Sequence, residues 1–440
     1  AQKDLRIVLI LPPNVDPHFR KEVESKNVII EEWRGRVRAG AFRHFILYPF
    51  MRYLVYTQTT KFLILYGSKK NRPQYAPLRY FFSLLLFSWL SKITLLKRLS
   101  RWIDYKFFGY YDKPYQPLFD QYKPSVVFVT DLLRQPVCLA LTRIARRRGI
   151  PTVGMVKSWD NLDKTLLITL PDLFLVWNEH MKDDLIRLQG VQPENIKITG
   201  IPQFDIYKKP GILLSRKEYC RQMGINPNKR ILFFGSEGSS FHYDDEFVDI
   251  LHQLLVEGAF KKDCVLLVRP HFHHEDKSKA GRFERFRKYY PQIVLDKRDR
   301  TSRCFFSEKW DPSFEDMKRL ANHLYHCDIL ITTFSTLTLD AAAFDKPIIN
   351  LVFDGLRPRS KIESSLRGFQ YTHYQKVIKT RGVRLVHNKE ELKNTINQYL
   401  ENHLLDKEGR EKLRQRFCYK LDGKSGKRIA QYLLEVLSKT

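Results

Sequence analysis

DILITTFSTLTLDAAAFDKPIIN, residues 328–350, is the stretch whose reading decides the fold. An apolar run ends at Thr333, and Phe334-Ser335-Thr336 then opens a helix. A second apolar run follows Lys346-Pro347. Strand, polar break, helix and strand in so short a span is one unit of a parallel α/β sheet. Ser335 and Thr336 are placed to cap the helix while its free N–H groups point at an anion. A phosphate there gains hydrogen bonds and the favourable end of the helix dipole. Asp340, one turn on, is suitably placed to accept from ribose hydroxyls. An ordinary N-cap is the plain alternative for Ser335 and Thr336.

Working outward, the same rhythm recurs in two sets. Strands are predicted at 5–11, 27–33, 125–131, 151–158, 172–178 and 195–200, then at 230–236, 264–270, 292–296, 328–333, 346–352 and 383–386. Between the sets, residues 202–228 carry Pro202, Pro210, Gly211 and an Asn-Pro-Asn, and read as an interdomain segment around a short helix. Gly200 and Pro202 fit a hinge. The expected architecture is α/β, with two Rossmann-like, doubly wound sheets facing a central cleft. The domains are expected at 1–208 and 209–424, with a C-terminal helix at 425–440 packing back toward the first. Ligands of such sheets sit at the carboxyl ends of the strands, so those loops are where chemistry is sought.

Two such loops lie in the second half. VRPHFHHED (268–276) offers Arg269 and His271 to a phosphate or leaving group. Its His271, His273, His274, Glu275, Asp276 run resembles metal ligands, but alternation at a strand end puts these side chains on opposite faces, so no metal site is assigned. GSEGSSFHYDDEF (235–247) brings Gly235, Ser236 and Glu237 to a charged donor through a small-residue loop. It is not a Walker loop, since no Gly-Lys-Ser/Thr follows.

In the first half, VKSWDNLDKT (156–165) follows a strand and faces the proposed cleft. Asp160 is the candidate base that deprotonates an acceptor hydroxyl, with Lys157 and Asn161 as polar neighbours and Trp159 as a wall. An ordinary turn shaped by Asn161 is the alternative. Asp131 is a second candidate base. Glu179 and His180 open a helix, where capping accounts equally well for the glutamate.

The chain carries 76 Lys and Arg against 48 Asp and Glu, a net charge of +28. That field favours a polyanionic partner. Residues 34–109 hold fifteen Lys/Arg, among them Arg34, Arg36, Arg38, Lys69, Lys70, Lys97, Arg98 and Arg101, against the single acid Asp104, with eighteen aromatics. Two apolar helical patterns, near 41–66 and 79–103, are too short or too basic to span a bilayer but suit in-plane interfacial helices. An anionic membrane is therefore the expected partner, with core helices carrying a basic face as the alternative. Nucleic acid is not expected, since no reader motif accompanies the charge. The first strand begins near residue 5, so no signal peptide is expected. The six scattered cysteines form no C-x-x-C pair and fit a reducing compartment.

In combination, KSWDNL, NEHMKDDL, GIPQFD, LLVRPH, ILITTFSTLTLDAAAFDKPII, THYQKVIKTRGVRLVHNKEEL, NQYLENHLLD and LDGKSGKRIAQYLLEVL resemble GT-B transferases of cell-envelope polymers. The likeness is to the CDP-glycerol glycerophosphotransferase-like and surface-carbohydrate glycosyltransferase group, over residues 125–438. It implies donor pyrophosphate at Ser335 and Thr336, a ribose contact at Asp340, and roles for Arg269 and His271. Where the glycerophosphotransferases continue with a second proline and show Asp-Tyr-Ser-Ser, this chain has Arg-Pro-His-Phe and Thr-Phe-Ser-Thr, which turns the expectation toward a sugar donor. The expected activity is inverting, metal-independent transfer from a UDP-, GDP-, CMP- or CDP-linked donor to a lipid-linked or polysaccharide acceptor, with no tightly bound cofactor. The expected site of action is the cytoplasmic face of the inner membrane. Phosphoglycerol transfer from CDP-glycerol, with His271 as acid or base, is the alternative. A UDP-N-acetylglucosamine 2-epimerase shares the fold, but the basic aromatic segment does not suit a soluble sugar-nucleotide substrate; a non-catalytic membrane or nucleic-acid scaffold is a further alternative.

Overall fold

A computed structural model describes residues 5–11, 17–33, 48–66, 77–107, 109–133, 135–237, 241–271, 281–290, 292–296, 313–361 and 363–440. Its strands are β1 (Ile7–Leu11), β2 (Val28–Glu32), β3 (Val127–Val129), β4 (Thr152–Met155), β5 (Leu173–Val176), β6 (Ile196–Ile198), β7 (Arg230–Gly235), β8 (Cys264–Arg269), β9 (Ile293–Leu295), β10 (Ile329–Thr332), β11 (Ile348–Leu351) and β12 (Arg384–Val386). Each falls inside the window its apolar run predicts.

The helices of the first half are α1 (Pro17–Val23), α2 (Tyr48–Tyr53), α3 (Gln58–Tyr66), α4 (Pro77–Leu90), α5 (Thr94–Phe107), α6 (Gln116–Tyr122), α7 (Pro136–Arg147) and α8 (Glu179–Asp184). After α9 (Arg216–Met223), the second half adds α10 (Asp245–Val256), α11 (Gly281–Tyr289), α12 (Phe314–His326), α13 (Leu337–Ala343), α14 (Leu366–Phe369), α15 (Thr372–Ile378), α16 (Lys389–Glu401), α17 (Lys407–Leu413) and α18 (Ser425–Leu437).

All pairings are parallel. The second-half sheet runs β12-β11-β10-β7-β8-β9, the 3-2-1-4-5-6 order of dinucleotide-binding sheets read from its far edge. Its strand order reverses between β7 and β10. Both faces are covered, so β8, β10 and β11 are buried along their whole length, as parallel strands under helices must be. The first-half sheet is simpler: β3-β4-β5-β6 in sequence order, with β1 and β2 as a separate pair. Arg6 over the Tyr122 ring and the Tyr122 hydroxyl donating to Glu31 tie that pair to α6.

The two sheets share one apolar core, which runs from Phe174 and Trp177 through Tyr207 to Phe233, Leu330 and Phe417. A second core lies under the opposite face of the β7–β12 sheet. A small third one, Met51, Leu54, Val55 and Leu166, seats the α2–α5 helices on the first half. Asp104, the lone acid of 34–109, is buried on Arg143 at 3.3 Å. Lys97 and Arg101 also turn inward, donating to the carbonyls of Leu188, Leu167 and Gln189. Burial lowers both, Arg101 to about 10, with Arg98 adding repulsion there. Of the basic residues expected to face lipid, these two are structural. Arg34, Arg36, Arg38, Lys69 and Lys70 lie outside the described residues.

Helix α18 is anchored on the junction between the halves. Asp205 accepts from the N–H groups of Ser425 (3.0 Å) and Gly426 (2.8 Å), and Arg428 donates to Thr199 O at 2.7 Å. Gly200 sits at φ +88°, and a Cβ there would meet Ser425 Oγ at 2.6 Å. Only glycine fits both demands.

Candidate active site

The reversal point of the β7–β12 sheet is where a ligand crevice opens in this topology. Gly235 ends β7 and Thr332 ends β10, their backbones paired, and Thr332 Oγ1 donates to Gly235 O at 2.8 Å. A Cβ on Gly235 would come within 2.3 Å of Leu337 Cδ2, so the glycine lets α13 start hard against β7. Ser236 Oγ accepts from His271 N at 2.8 Å, holding the end of β8 beside the end of β7. Ser335 Oγ accepts from Leu337 N at 3.3 Å, while Thr336, at the first turn of α13, is exposed. The Ser335 hydroxyl lies near the Glu237 carboxyl and favours its ionised form against burial.

The opposite wall is the 156–165 loop. Trp159 Nε1 reaches Thr336 Oγ1 across the cleft at 3.4 Å. Asp160 is partly open to the cleft, ion-paired with Lys164 and 3.2 Å from Asn161 Nδ2. Three residues on, Asp163 is buried: its Oδ2 accepts from Thr59 Oγ1 (2.6 Å), His373 N (3.1 Å) and His373 Nδ1 (3.0 Å). Thr372 N donates to Thr59 Oγ1 and its own hydroxyl accepts from Gln58 N. One turn along α15, Lys376 Nζ is 2.9 Å from His180 Nδ1 and 2.8 Å from Asp184 Oδ1. Helix α15 thus clamps the second half onto both α3 and α8. Trp159 is the wedge at the centre of the clamp, its ring 5.1 Å from His373 and 5.6 Å from Phe417.

Two carboxyls face this cleft with opposite electrostatics. Burial opposes the charge on Asp160, but Lys164 and then His373 overcome it and hold the acid well below the usual carboxylate range. Burial pushes Glu237 well above its usual value, and the charges of Asp244 and Asp160 push it further. At neutral pH Asp160 is ionised, while the surroundings of Glu237 favour its protonated form. Paired carboxyls driven apart in this way are how one site supplies both an acid and a base.

Several expected residues stand elsewhere or act differently. Arg269 turns away from the cleft into a buried cluster, paired with Asp296 and, at 2.8 Å, with Asp316. Its guanidinium is engaged by carboxylates, which corrects the phosphate-facing role expected of it. Asp131 is buried and caps its own turn through Leu133 N at 2.9 Å, so it is not an open base. Asp340 accepts from the buried Tyr207 hydroxyl of the short Pro202–Lys208 turn, in place of an open ribose contact; burial raises it to about 6 against that bond. Trp159 is a buried wedge rather than an open wall. Asn178, not Glu179, caps α8, accepting from Met181 N. Lys157 is partly exposed at the rim. His273, His274, Glu275 and Asp276 lie outside the described residues. Asp163, Lys164, His373 and Lys376 were missed; the Asp160–Lys164 spacing of four was the available signal for one pair.

Residues 156–435 match the family model described as CDP-Glycerol:Poly(glycerophosphate) glycerophosphotransferase. No curated protein matches the chain in sequence. Among solved structures, the UDP-GlcNAc 2-epimerase of Neisseria meningitidis bound to UDP-GlcNAc is similar at a TM-score of 0.52 and 12% identity, over 98% of this chain and 99% of that one. A protein of Listeria monocytogenes assigned as a UDP-N-acetylglucosamine 2-epimerase gives 0.51 and 15%, over 75% and 79%. A variant of the wall teichoic acid polymerase TagF gives 0.44 and 12%, over 78% and 98%. At these identities the likeness to the two epimerase structures is one of fold.

Proposed function

Since the chain belongs to the CDP-glycerol:poly(glycerophosphate) glycerophosphotransferase family, we propose that this GT-B transferase moves the activated group of a nucleotide-linked donor onto a hydroxyl of a membrane-associated cell-surface polymer or glycolipid. The observation that carries the site assignment is the closing of the 156–165 loop, with Asp160, on the start of α13 at the sheet reversal point, where Trp159 Nε1 lies 3.4 Å from Thr336 Oγ1.

In the first reading the transferred group is a sugar. The acceptor oxygen attacks the anomeric carbon, its proton passes to Asp160, and the bond from that carbon to the nucleoside diphosphate breaks. The leaving oxygen's charge is met by the N–H groups at the start of α13, by the Ser335 and Thr336 hydroxyls, and by the Glu237 proton. His271 and Ser236 border the same phosphates. A carboxylate held down by a lysine is a weak base, so Lys164 has a second task. When donor phosphates enter, they draw Lys164 off Asp160, which regains basicity as the substrate arrives. The step is inverting and asks nothing of a metal. In the second reading, which the family match favours, the acceptor oxygen attacks the phosphorus of CDP-glycerol and CMP leaves. The same residues serve both.

Thermal-shift screening with CDP-glycerol and with UDP-, GDP- and CMP-sugars separates the readings. With the donor so found, Asp160→Asn is expected to abolish turnover and spare donor binding; near-normal rates exclude Asp160 as base.

The acceptor side of the proposal is an anionic membrane, at the cytoplasmic face of the inner membrane. Helices α4 and α5 present Trp89 (73% exposed), Leu95 (71%) and Phe107 (66%), with Leu85, Leu86 and Trp102. Lys92, Arg98 and Lys106 are exposed among them, while Asp104 is buried on Arg143. Cations beside large apolar side chains suit an in-plane helix pair. No described helix is long and apolar enough to cross a membrane.

A further inference from the structure

The opposite, amino-terminal end of the donor-side sheet carries a second feature that the transfer chemistry does not use. A cavity of about 430 Å³ opens at the amino ends of β7 and β10, lined by Arg216, Lys229, Arg230, Tyr325, Asp328 and Lys346 among others. Strand β7 is six residues long, which puts this cavity about 17 Å from the reversal point at a rise of about 3.3 Å per residue.

The charge of the cavity is unbalanced. Both carboxylate oxygens of Asp328 are already engaged, one by Arg230 at 2.9 Å and the other by Ile231 N at 2.8 Å. Lys229 is paired with Asp263 at 3.2 Å. Arg216 donates only to backbone carbonyls, those of His326 and Lys229, which orient the guanidinium and leave its charge in place. Lys346 sits over the Tyr325 ring, 5.9 Å from its centroid. Among the described residues neither Arg216 nor Lys346 has a carboxylate within ion-pair distance. Their field is felt by His326 between them: burial first, and then the charges of Arg216 and Lys346, bring its imidazolium down to about 4.

We propose that this cavity is an anion site, separate from the donor site, that binds a phosphate or diphosphate group between Arg216 and Lys346. A planar guanidinium held by carbonyls suits two phosphate oxygens, and the ammonium supplies a point charge. The group could come from a free nucleotide released by the reaction or from a lipid headgroup, and the test has an arm for each.

Pyrophosphate is titrated calorimetrically into the full chain, its Arg216→Gln/Lys346→Gln variant, its Lys346→Gln variant and a Ser335→Ala/Thr336→Ala variant. Lys346→Gln leaves the carbonyl bonds of Arg216 intact and guards against misfolding. The inference expects one binding event that survives Ser335→Ala/Thr336→Ala and weakens about tenfold or more in each cavity variant, as loss of one charged hydrogen bond implies. Basal transfer is unchanged in the cavity variants. Competition by CMP identifies the free nucleotide; competition by phosphatidylglycerol vesicles identifies the headgroup. Pyrophosphate heat that is unaltered in both cavity variants, or lost only in Ser335→Ala/Thr336→Ala, overturns the inference. The second outcome leaves the donor-site reading standing.

Discussion

Replacing Lys164 by methionine isolates the electrostatics on which the catalytic proposal rests. The lysine is the closest cation to Asp160, and both side chains are about a quarter exposed (23% and 24%). An opposite charge at such range lowers a carboxyl by about 1–3 pH units. Burial acts the other way on Asp160 and is the largest influence on it. With Lys164 gone, the acid rises toward the ordinary aspartate value of about 3.9, while His373 still holds it down. The sign follows from the role: a base works only when deprotonated, so activity falls as pH drops through its pKa. In the parent enzyme that limb lies below the working range, and kcat/KM is flat from neutrality down to about pH 4 as far as Asp160 is concerned. In Lys164→Met the acid limb moves up by about 1–3 pH units, into reach at the acid end of the profile, while Lys164→Arg, which keeps the charge, leaves it in place. The assay is kcat/KM against pH with the donor found by screening. Superimposable acid limbs in parent and Lys164→Met refute the reasoning.

Glu237→Gln keeps a hydrogen-bond donor but cannot hand over a proton, so it is expected to lower turnover and abolish any basic limb belonging to Glu237; an unchanged pH profile and rate count against Glu237 as the acid. Trp89→Ser with Trp102→Ser is expected to weaken sedimentation with phosphatidylglycerol vesicles and leave solution donor binding alone; unchanged sedimentation removes α4 and α5 from the membrane account. Asp205→Ala deletes the acceptor for two N–H groups of α18 and lowers unfolding stability by about 1 kcal/mol, read by urea denaturation. Gly409→Ala costs about 1–3 kcal/mol, because its Cβ would lie 2.0 Å from Arg381 O.

The strands were legible because each is a short apolar run between turn residues, and parallel strands buried on both faces need little else. The strand-end loops were legible too, since Gly235 and Ser335 fall at the carboxyl ends of predicted strands; the strand order itself came from the structure. Long-range partners were not. Nothing local in THYQKVI tells that His373 and Lys376 reach Asp163, His180 and Asp184, which lie some two hundred residues away in sequence. Arg269 misled for a related reason. A strand-end arginine reads as a phosphate contact until Asp296 and Asp316, brought in by β9 and α12, are seen to engage it. Lys97 and Arg101 show the same limit: composition counts cations, and only packing tells which of them face inward.

The central claim is that a nucleotide-activated donor binds where β7 and β10 part, against the first turn of α13. Calorimetric titration of the donor that stabilises the protein most in the screen, into the parent chain and into Ser335→Ala/Thr336→Ala, tests it most directly. The account predicts saturable binding to the parent and about tenfold or greater weakening in the variant, the loss expected of hydrogen bonds to a charged phosphate. Equal affinity in the two proteins, or no binding by any of the CDP-, UDP-, GDP- or CMP-linked donors, would contradict it.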